Sequence, residues 1–185
     1  MPNPDQLRIL REQIAPAAIK ASRLTGVPAE CICSQCILES GWMAHVNGNN
    51  CFGIKDYRGA FDRQLLPTQE WFTDAEVAYF LAAGDGRTAS LFEPLQQNAQ
   101  GRKRYHVQDW FAAFPTLADC FTRHALLFTE GRYAPYLKAY REGGDLDAFV
   151  RGIGPIYATD PNYSASVLAI AKSTAVAEAL KAVSA

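Results

Sequence analysis

The chain has 185 residues, of which 49% are hydrophobic and 20% charged, a composition typical of one globular domain with its own core. The formal net charge is −1 and Arg102-Lys103-Arg104 is a short basic run, which argues against nucleic-acid partners because such affinity needs clustered cations. No apolar run reaches the roughly 18 residues that span a bilayer, and Met1–Asp5 does not resemble a signal peptide. We therefore expect no membrane insertion and synthesis in the cytoplasm without a signal peptide.

The first forty residues predict two helices that meet at a Gly-Pro break. Apolar residues spaced three to four apart predict a helix over 5–24, which Pro16 would kink. Gly26 and Pro28 would end this helix and begin the next one. The second helix, 28–40, is apolar on nearly every side, so we expect it at the centre of the domain.

Glu39 lies at the end of this central helix. It shares a helix face with Ile32 and Cys36, and Gly41 permits a left-handed exit. Because helix C-termini favour cations, a carboxylate at this position indicates function rather than a solvated surface. Desolvation by apolar neighbours would raise its pKa, which suits a general acid working near neutral pH.

The middle of the chain predicts a small β-lobe at about 45–73. Turn signals separate three short extended segments, at 51–56, 60–66 and 69–73. A long insert at about 74–104 follows within the same single domain of 1–185. We expect it to hold a helix at 74–83, with Asp74 as N-cap, and a polar loop at 84–104.

After residue 104 the pattern becomes helical again. We predict helices at 116–129, 133–141, 145–152 and 162–183, with a polar loop at 156–161. His124 lies on the inner face of the first of these helices, and we interpret it as a core histidine with satisfied hydrogen bonds. Helices, a small β-insert and further helices predict an α+β, mainly helical fold.

The five cysteines do not follow a metal-binding pattern. Cys31, Cys33 and Cys36 lie on one helix, Cys51 and Cys120 lie apart, and the chain has three scattered histidines. A four-cysteine zinc site usually takes two C-x2-C pairs, and one is present, so we predict no metal and no other cofactor. Buried cysteines act as small hydrophobes, although Cys51 could pair with a helix cysteine in an oxidising compartment.

Three motifs occur in order: Leu38-Glu39-Ser40-Gly41-Trp42, Asn49-Asn50-Cys51-Phe52-Gly53-Ile54-Lys55 and Tyr157-Ala158-Thr159-Asp160-Pro161-Asn162-Tyr163. Together, across about 25–170, they resemble the bacterial endo-β-N-acetylglucosaminidases of glycoside hydrolase family 73. The resemblance implies a lysozyme-like fold, with a large helical lobe and a small β-lobe flanking a saccharide groove. It also implies hydrolysis of the β-1,4 bond on the reducing side of N-acetylglucosamine in peptidoglycan.

The same resemblance implies roles for individual residues. Glu39 matches the general acid of the family, and Tyr157 matches a tyrosine that orients the sugar at the reacting centre. Aromatic faces suit the apolar faces of pyranose rings. The residues predicted to bind substrate are Trp42, Asn50, Phe52, Lys55, Trp71, Asp160 and Tyr163.

A second carboxylate is best matched by Glu70, with Asp74 and Glu76 as alternatives and a plain surface role for Glu70 left open. Glu70 would activate water in an inverting reaction. Alternatively, the 2-acetamido group of the substrate would attack in a retaining one, with Tyr157 nearby. Met43 replaces the usual glycine of the family, and 74–104 is longer than the family hairpin.

Other functions remain compatible with the sequence. A muramidase or a lytic transglycosylase would share the fold, although the Gly-Leu-Met-Gln stretch typical of transglycosylases is missing, and a non-catalytic peptidoglycan-binding module is a further alternative. The expected partner is the peptidoglycan glycan strand. Because we find no signal peptide, we expect action in the periplasm after delivery by a secretion system. This describes an antibacterial effector, with an immunity protein that blocks the groove around Glu39. A phage endolysin released by a holin is the alternative.

Overall fold

The computed structural model describes residues 1–184, which form two compact units. The helical unit comprises Met1–Phe52 and the chain from Phe114 onwards, and the sheet unit comprises Gly53–Ala113. The elements in chain order are α1 (Pro4–Ile9), a π-helical turn (Leu10–Ile14), α2 (Ala15–Thr25), α3 (Ala29–Ser40), β1 (Asp62–Phe72), α4 (Asp74–Ala82), β2 (Thr88–Leu91), β3 (Lys103–Ala113), α5 (Leu117–Leu126), two 3₁₀ turns (Leu127–Thr129 and Gly131–Tyr133), α6 (Ala134–Gly143), α7 (Leu146–Tyr157), α8 (Tyr163–Ala171) and α9 (Thr174–Ser184).

Helix α3 is the central helix of the helical unit, as its sequence predicts. Residues 31–37 are all buried, and α3 packs against α2, α8 and α9. Left-handed glycines end the two neighbouring helices, Gly26 after α2 at φ 70° and Gly41 after α3 at φ 57°. Glycine adopts this conformation without the cost that a Cβ imposes.

The predicted kink at Pro16 takes the form of a π-helical turn. The Ala15 N–H donates to the Leu10 carbonyl, five residues earlier, and α2 then begins with Pro16 in its first turn. Proline has no N–H to donate, and the first turn of a helix does not require one. The chain therefore stays helical through Pro16.

The sheet unit contains a three-stranded antiparallel sheet in the order β1-β3-β2. Helix α4 contributes Phe80, which packs with Tyr105 and Val107 of β3 in a small core. The helix begins with a capping box between Thr73 and Glu76, so the prediction of Asp74 as N-cap is wrong by one residue.

Further predictions in this region are wrong. The loop expected at 84–104 contains β2 and the first residues of β3, and residues 104–113 are a strand. Alternation of buried and less buried residues along β3 carries a strand signal that the polar residues at 84–104 obscured. The extended segments at 60–66 and 69–73 form one strand, β1. Its Pro67 is tolerated because β1 lies at the sheet edge.

Segment 51–56 is a loop and not a strand. The buried carboxylate of Asp56 accepts hydrogen bonds from the backbone N–H groups of Arg58, Ala60 and Phe61. These bonds hold the chain just after the segment in a turn, so the contact of Lys55 with Phe111 of β3 stays an isolated bridge and not a continuous strand.

The C-terminal region differs from prediction in two boundaries. Helix α7 continues to Tyr157, which shortens the predicted loop at 156–161. The long helix predicted over 162–183 is broken between α8 and α9, where the Ser173 hydroxyl accepts the Val176 N–H at 3.4 Å and begins a new helix.

Candidate active site

The chain turns sharply just after Glu39. Gly41, Trp42 and Met43 all have left-handed φ angles, of 57°, 61° and 69°, which is costly for the two residues that carry a Cβ. The Ser40 hydroxyl supports the turn, since it donates to the Cys36 carbonyl at 2.6 Å and accepts the Met43 N–H at 2.9 Å. These bonds hold the end of α3 in one conformation.

The Glu39 side chain is exposed to solvent, yet its surroundings alter its acidity. Neighbouring groups nevertheless desolvate the carboxyl in part, which raises its pKa above the ordinary value, and a hydrogen bond from the Tyr163 hydroxyl opposes part of that rise. The direction agrees with the sequence prediction for a general acid.

Tyr163 is connected to a buried polar chain beneath Glu39. The Gln35 side-chain amide, fully buried on α3, donates to the Tyr163 oxygen at 3.0 Å. The Gln35 Oε1 atom lies 2.9 Å from His124 Nε2 and also accepts from the Cys31 thiol at 3.7 Å. Burial, followed by the charge of Arg123, lowers the pKa of His124 to about 3, so this imidazole is neutral at pH 7.

Tyr157 lies in an aromatic stack beside the same group. Its ring stacks on Tyr163 at a centroid distance of 5.3 Å and meets the edge of His124 at 5.7 Å. Burial raises the pKa of the Tyr157 hydroxyl, and the nearby Glu39 charge raises it further. The structure thus brings Glu39, Tyr157 and Tyr163 together.

The remaining predicted residues of the helical unit have different surroundings. Phe52 is buried and stacks on His124 with the centroids 3.7 Å apart, and Asn50 is also buried. Trp42 is half-buried. Asp160 is exposed and accepts the Asn162 N–H at 2.9 Å, so it orders the chain just before α8.

Three predicted residues line one cavity of 610 Å³ in the sheet unit: Lys55, Glu70 and Trp71. The Lys55 Nζ atom lies 2.5 Å from Glu70 and 2.9 Å from Asp109, whose side chain is fully buried. Burial alone would lower the pKa of Lys55, but the hydrogen bonds and charges of Glu70 and Asp109 outweigh it and raise that pKa. Lys55 therefore stays cationic between two carboxylates.

Asp74 and Glu76, the two alternatives for the second carboxylate, each form an ion pair that gives them a structural role. Asp74 pairs with Lys103 at 2.8 Å. Glu76 closes the capping box of α4 and pairs with Arg102 at 2.6 Å. Acidic residues in a first helical turn are also stabilised by the helix dipole.

Sequence reasoning missed Gln35 and Asp109, which lie on a buried helix and a buried strand position. For Gln35 the available signal was a polar residue within the largely apolar helix 28–40, because a buried polar group must find partners. Asp109 directly follows Gln108 and carried no such signal. The reading of His124 as a satisfied core histidine is confirmed by its bond to Gln35.

All five cysteines are free thiols. Cys51 contacts the Cys120 sulfur through its backbone N–H at 3.4 Å, and the structure contains no disulfide to any helix cysteine. Across residues 1–184 there is no cluster of three or more His, Cys, Asp or Glu side chains arranged to hold a metal ion. No helix in that range is long and apolar enough to cross a bilayer.

Two curated relatives have a similar sequence, both of them the peptidoglycan hydrolase FlgJ. The protein from Vibrio parahaemolyticus is 28% identical over 162 residues, covering 84% of this chain and 43% of the relative. The protein from Vibrio cholerae is 28% identical over 166 residues, covering 85% and 41%. This chain therefore spans less than half the length of these relatives.

Solved structures share the fold. The catalytic domain of the autolysin Auto from Listeria monocytogenes matches with a TM-score of 0.66 and 17% identity, covering 97% of this chain and 90% of that one. The glycoside hydrolase domain of FlgJ from Salmonella typhimurium matches with a TM-score of 0.57 and 21% identity, covering 100% and 91%. The predicted α+β, mainly helical, lysozyme-like fold is confirmed.

A family model described as glucosaminidase, mannosyl-glycoprotein endo-beta-N-acetylglucosaminidase, matches residues 15–175. This range includes most of both units. The chain therefore belongs to the glucosaminidase family of glycoside hydrolases.

Proposed function

We propose that this chain hydrolyses peptidoglycan at the β-1,4 bond on the reducing side of N-acetylglucosamine, with Glu39 as general acid. The observation that carries the proposal is the position of the Glu39 carboxyl in the last turn of α3, beside the stacked rings of Tyr157 and Tyr163, where partial desolvation raises its pKa. Family membership supports the reaction class, and the names of the Vibrio relatives support the substrate.

Cleavage of a glycosidic bond needs an acid that protonates the leaving oxygen, because an alkoxide is a poor leaving group. The acid must hold its proton at the working pH. Since partial desolvation raises the pKa of Glu39, its protonated fraction at a given pH is larger than that of an ordinary glutamate. Activity should therefore fall as the pH rises through the pKa of Glu39.

We propose Tyr157 as the group that orients the sugar and Glu70 as the second carboxylate. The pair with Lys55 supports Glu70 because it holds this carboxylate at the cavity of the sheet unit, where Lys55 and Trp71 would bind substrate. Glu70→Gln should reduce activity only partially if the acetamido group of the substrate attacks the reacting centre. Complete loss would instead favour Glu70 as the base of an inverting reaction.

The decisive experiment digests purified peptidoglycan with the wild type, Glu39→Gln and the control Glu30→Gln, which changes another glutamate of α3. Products are reduced with borohydride and identified by mass spectrometry. We expect reduced N-acetylglucosamine ends from the wild type and the control, and a loss of at least about 100-fold in Glu39→Gln.

Other products would contradict specific parts of the proposal. Reduced muramic ends would identify a muramidase, and anhydro ends a lytic transglycosylase. A folded wild type that releases nothing would be a peptidoglycan-binding module. A fully active Glu39→Gln would rule out Glu39 as the acid.

We further propose that the protein acts as an antibacterial effector, which hydrolyses peptidoglycan in the periplasm of a rival bacterial cell. Peptidoglycan lies outside the cytoplasmic membrane, so a delivery step is required in any case. A secreted inhibitor encoded next to the gene, binding the purified chain and stopping hydrolysis, would support the effector and its immunity partner. A neighbouring holin gene would instead indicate a phage endolysin.

A further inference from the structure

A network of hydrogen bonds between buried side chains leads to the candidate acid, Glu39. It runs from His124 on α5 through Gln35 on α3 to Tyr163 on α8, and it ends at the Glu39 carboxyl. Gln35 and His124 are both buried, at 0% and 3% exposure, and Tyr163 is 8% exposed. Water therefore has little access to the internal bonds of this network.

The direction of each bond follows from the donors and acceptors available. The Gln35 amide nitrogen can only donate, and it faces the Tyr163 oxygen at 3.0 Å. The Gln35 Oε1 atom can only accept, so neutral His124 must present an Nε2–H to it, at 2.9 Å. The Cys31 thiol donates to the same oxygen at 3.7 Å, which opposes a flip of the amide.

These bond directions determine where the single proton of the Tyr163 hydroxyl can point. Because the Tyr163 oxygen already accepts from Gln35, its own O–H is free to donate to the Glu39 carboxyl. A carboxylate is the stronger acceptor, so this bond favours the form of Glu39 that remains after the proton has left.

We propose that Gln35 and His124 are positioning residues of the active site, which orient the Tyr163 hydroxyl so that its proton points at Glu39. The inference rests on the proposed role of Glu39 as general acid. Neither Gln35 nor His124 contacts substrate in this account, and both act through Tyr163.

The titratable groups packed around Glu39 do not change protonation state near neutral pH. Burial raises the pKa values of Tyr157 on α7, Tyr163 on α8 and Cys31 on α3, and it lowers that of His124 on α5. All four are therefore neutral while a general acid works. The alkaline limb of the pH profile, where kcat/KM falls as the pH rises, therefore reports on the deprotonation of Glu39.

The test measures kcat/KM for peptidoglycan fragments against pH in the wild type, Gln35→Met, Tyr163→Phe and the double variant. Methionine keeps the length of glutamine and removes both polar atoms. Loss of the Tyr163 donation raises the pKa of Glu39, so the alkaline limb should move to higher pH, by about one unit for a bond to a charged group. Gln35→Met should move it the same way.

The double variant shows whether Gln35 acts through Tyr163 or affects Glu39 separately, because only in the first case are the two pH shifts non-additive. If Gln35 acts through Tyr163, the double variant should have the alkaline limb of Tyr163→Phe alone. Ser34→Ala is the matched control, because Ser34 is equally buried on α3 but bonds only to the Glu30 carbonyl, at 2.6 Å. Its alkaline limb should remain that of the wild type.

His124→Phe provides an independent variant should Gln35→Met fail to fold, since phenylalanine keeps the stack on Phe52. We expect an upward shift of the limb smaller than that of Tyr163→Phe. An unshifted limb in folded Gln35→Met, or in His124→Phe, would overturn the inference, as would additive shifts in the double variant. Full activity of Glu39→Gln would instead overturn the proposed acid itself.

Discussion

His124 shows how one buried residue can make stability depend on pH. Burial keeps its pKa at about 3 in the folded state, against 6.5 for an ordinary histidine. Between these values the unfolded chain binds a proton that the folded chain does not, so stability falls as the pH falls. The window opens below about pH 6.5 and extends to about pH 3.

We predict that acidification from pH 7 to pH 5 lowers the free energy of unfolding by about 2 kcal/mol through His124. Chemical denaturation of His124→Phe at both pH values should show a decrease smaller by this amount. His106→Gln, at an exposed histidine of the sheet unit, is the control and should keep the wild-type decrease. An unchanged decrease in His124→Phe would contradict the prediction.

Helices α7 and α8 approach each other closely at Gly154, which is buried on α7. A Cβ placed there would lie 2.0 Å from the Ser164 hydroxyl and 3.2 Å from the Ser164 Cβ. That hydroxyl bonds to the Val150 carbonyl at 3.2 Å, so Ser164 has little freedom to move away. The residue next to Ser164 is Tyr163, the first residue of α8.

Gly154→Ala should therefore destabilise the fold by about 1–3 kcal/mol, because overpacking forces the two helices apart. Thermal unfolding measures the change. Gly143→Ala is the matched control, since a Cβ at Gly143 of α6 meets nothing within 4 Å and alanine is the better helix former. Equal stability of the two variants would show that α7 and α8 adjust without cost.

The sheet unit is one continuous insertion in the helical unit. Its two ends are adjacent, since the Ala112 N–H donates to the Ile54 carbonyl at 2.9 Å. Within the helical unit, the Phe114 N–H donates to the Gly48 carbonyl at 2.7 Å, and the Asn49 amide donates to the Phe114 carbonyl at 2.8 Å. The helical unit thus joins its own two segments without the sheet.

We predict that a short Gly-Ser linker in place of Gly53–Ala113 leaves a folded helical unit. Circular dichroism should show helix and a cooperative thermal transition. Hydrolysis should be lost, since Lys55, Glu70 and Trp71 are removed.

Truncation before Thr174 is the contrasting variant. It removes buried Val176 and Ala179 of α9, which packs on α2 and α3, and it should abolish the transition. A linker variant without a cooperative transition would show that the helical unit needs the sheet unit to fold.

The features that could be predicted from the sequence are those that depend on neighbours along the chain. The buried α3, its left-handed end at Gly41 and the place of Glu39 in its last turn follow from periodicity and from the conformational freedom of glycine. The raised pKa of Glu39 was also predictable in direction, since its helix face is apolar.

Contacts between residues that are distant along the chain could not be predicted, because they depend on how the helices and strands pack. The pairing of β3 with β1 depends on the tertiary structure, because β1 begins more than thirty residues earlier and pairing across such a distance leaves no local signal. His124 and Tyr163 lie 89 and 128 residues from Gln35 along the chain, yet they bond to it. A buried polar group must find a partner, but only the packing of α3, α5 and α8 selects which partner it finds.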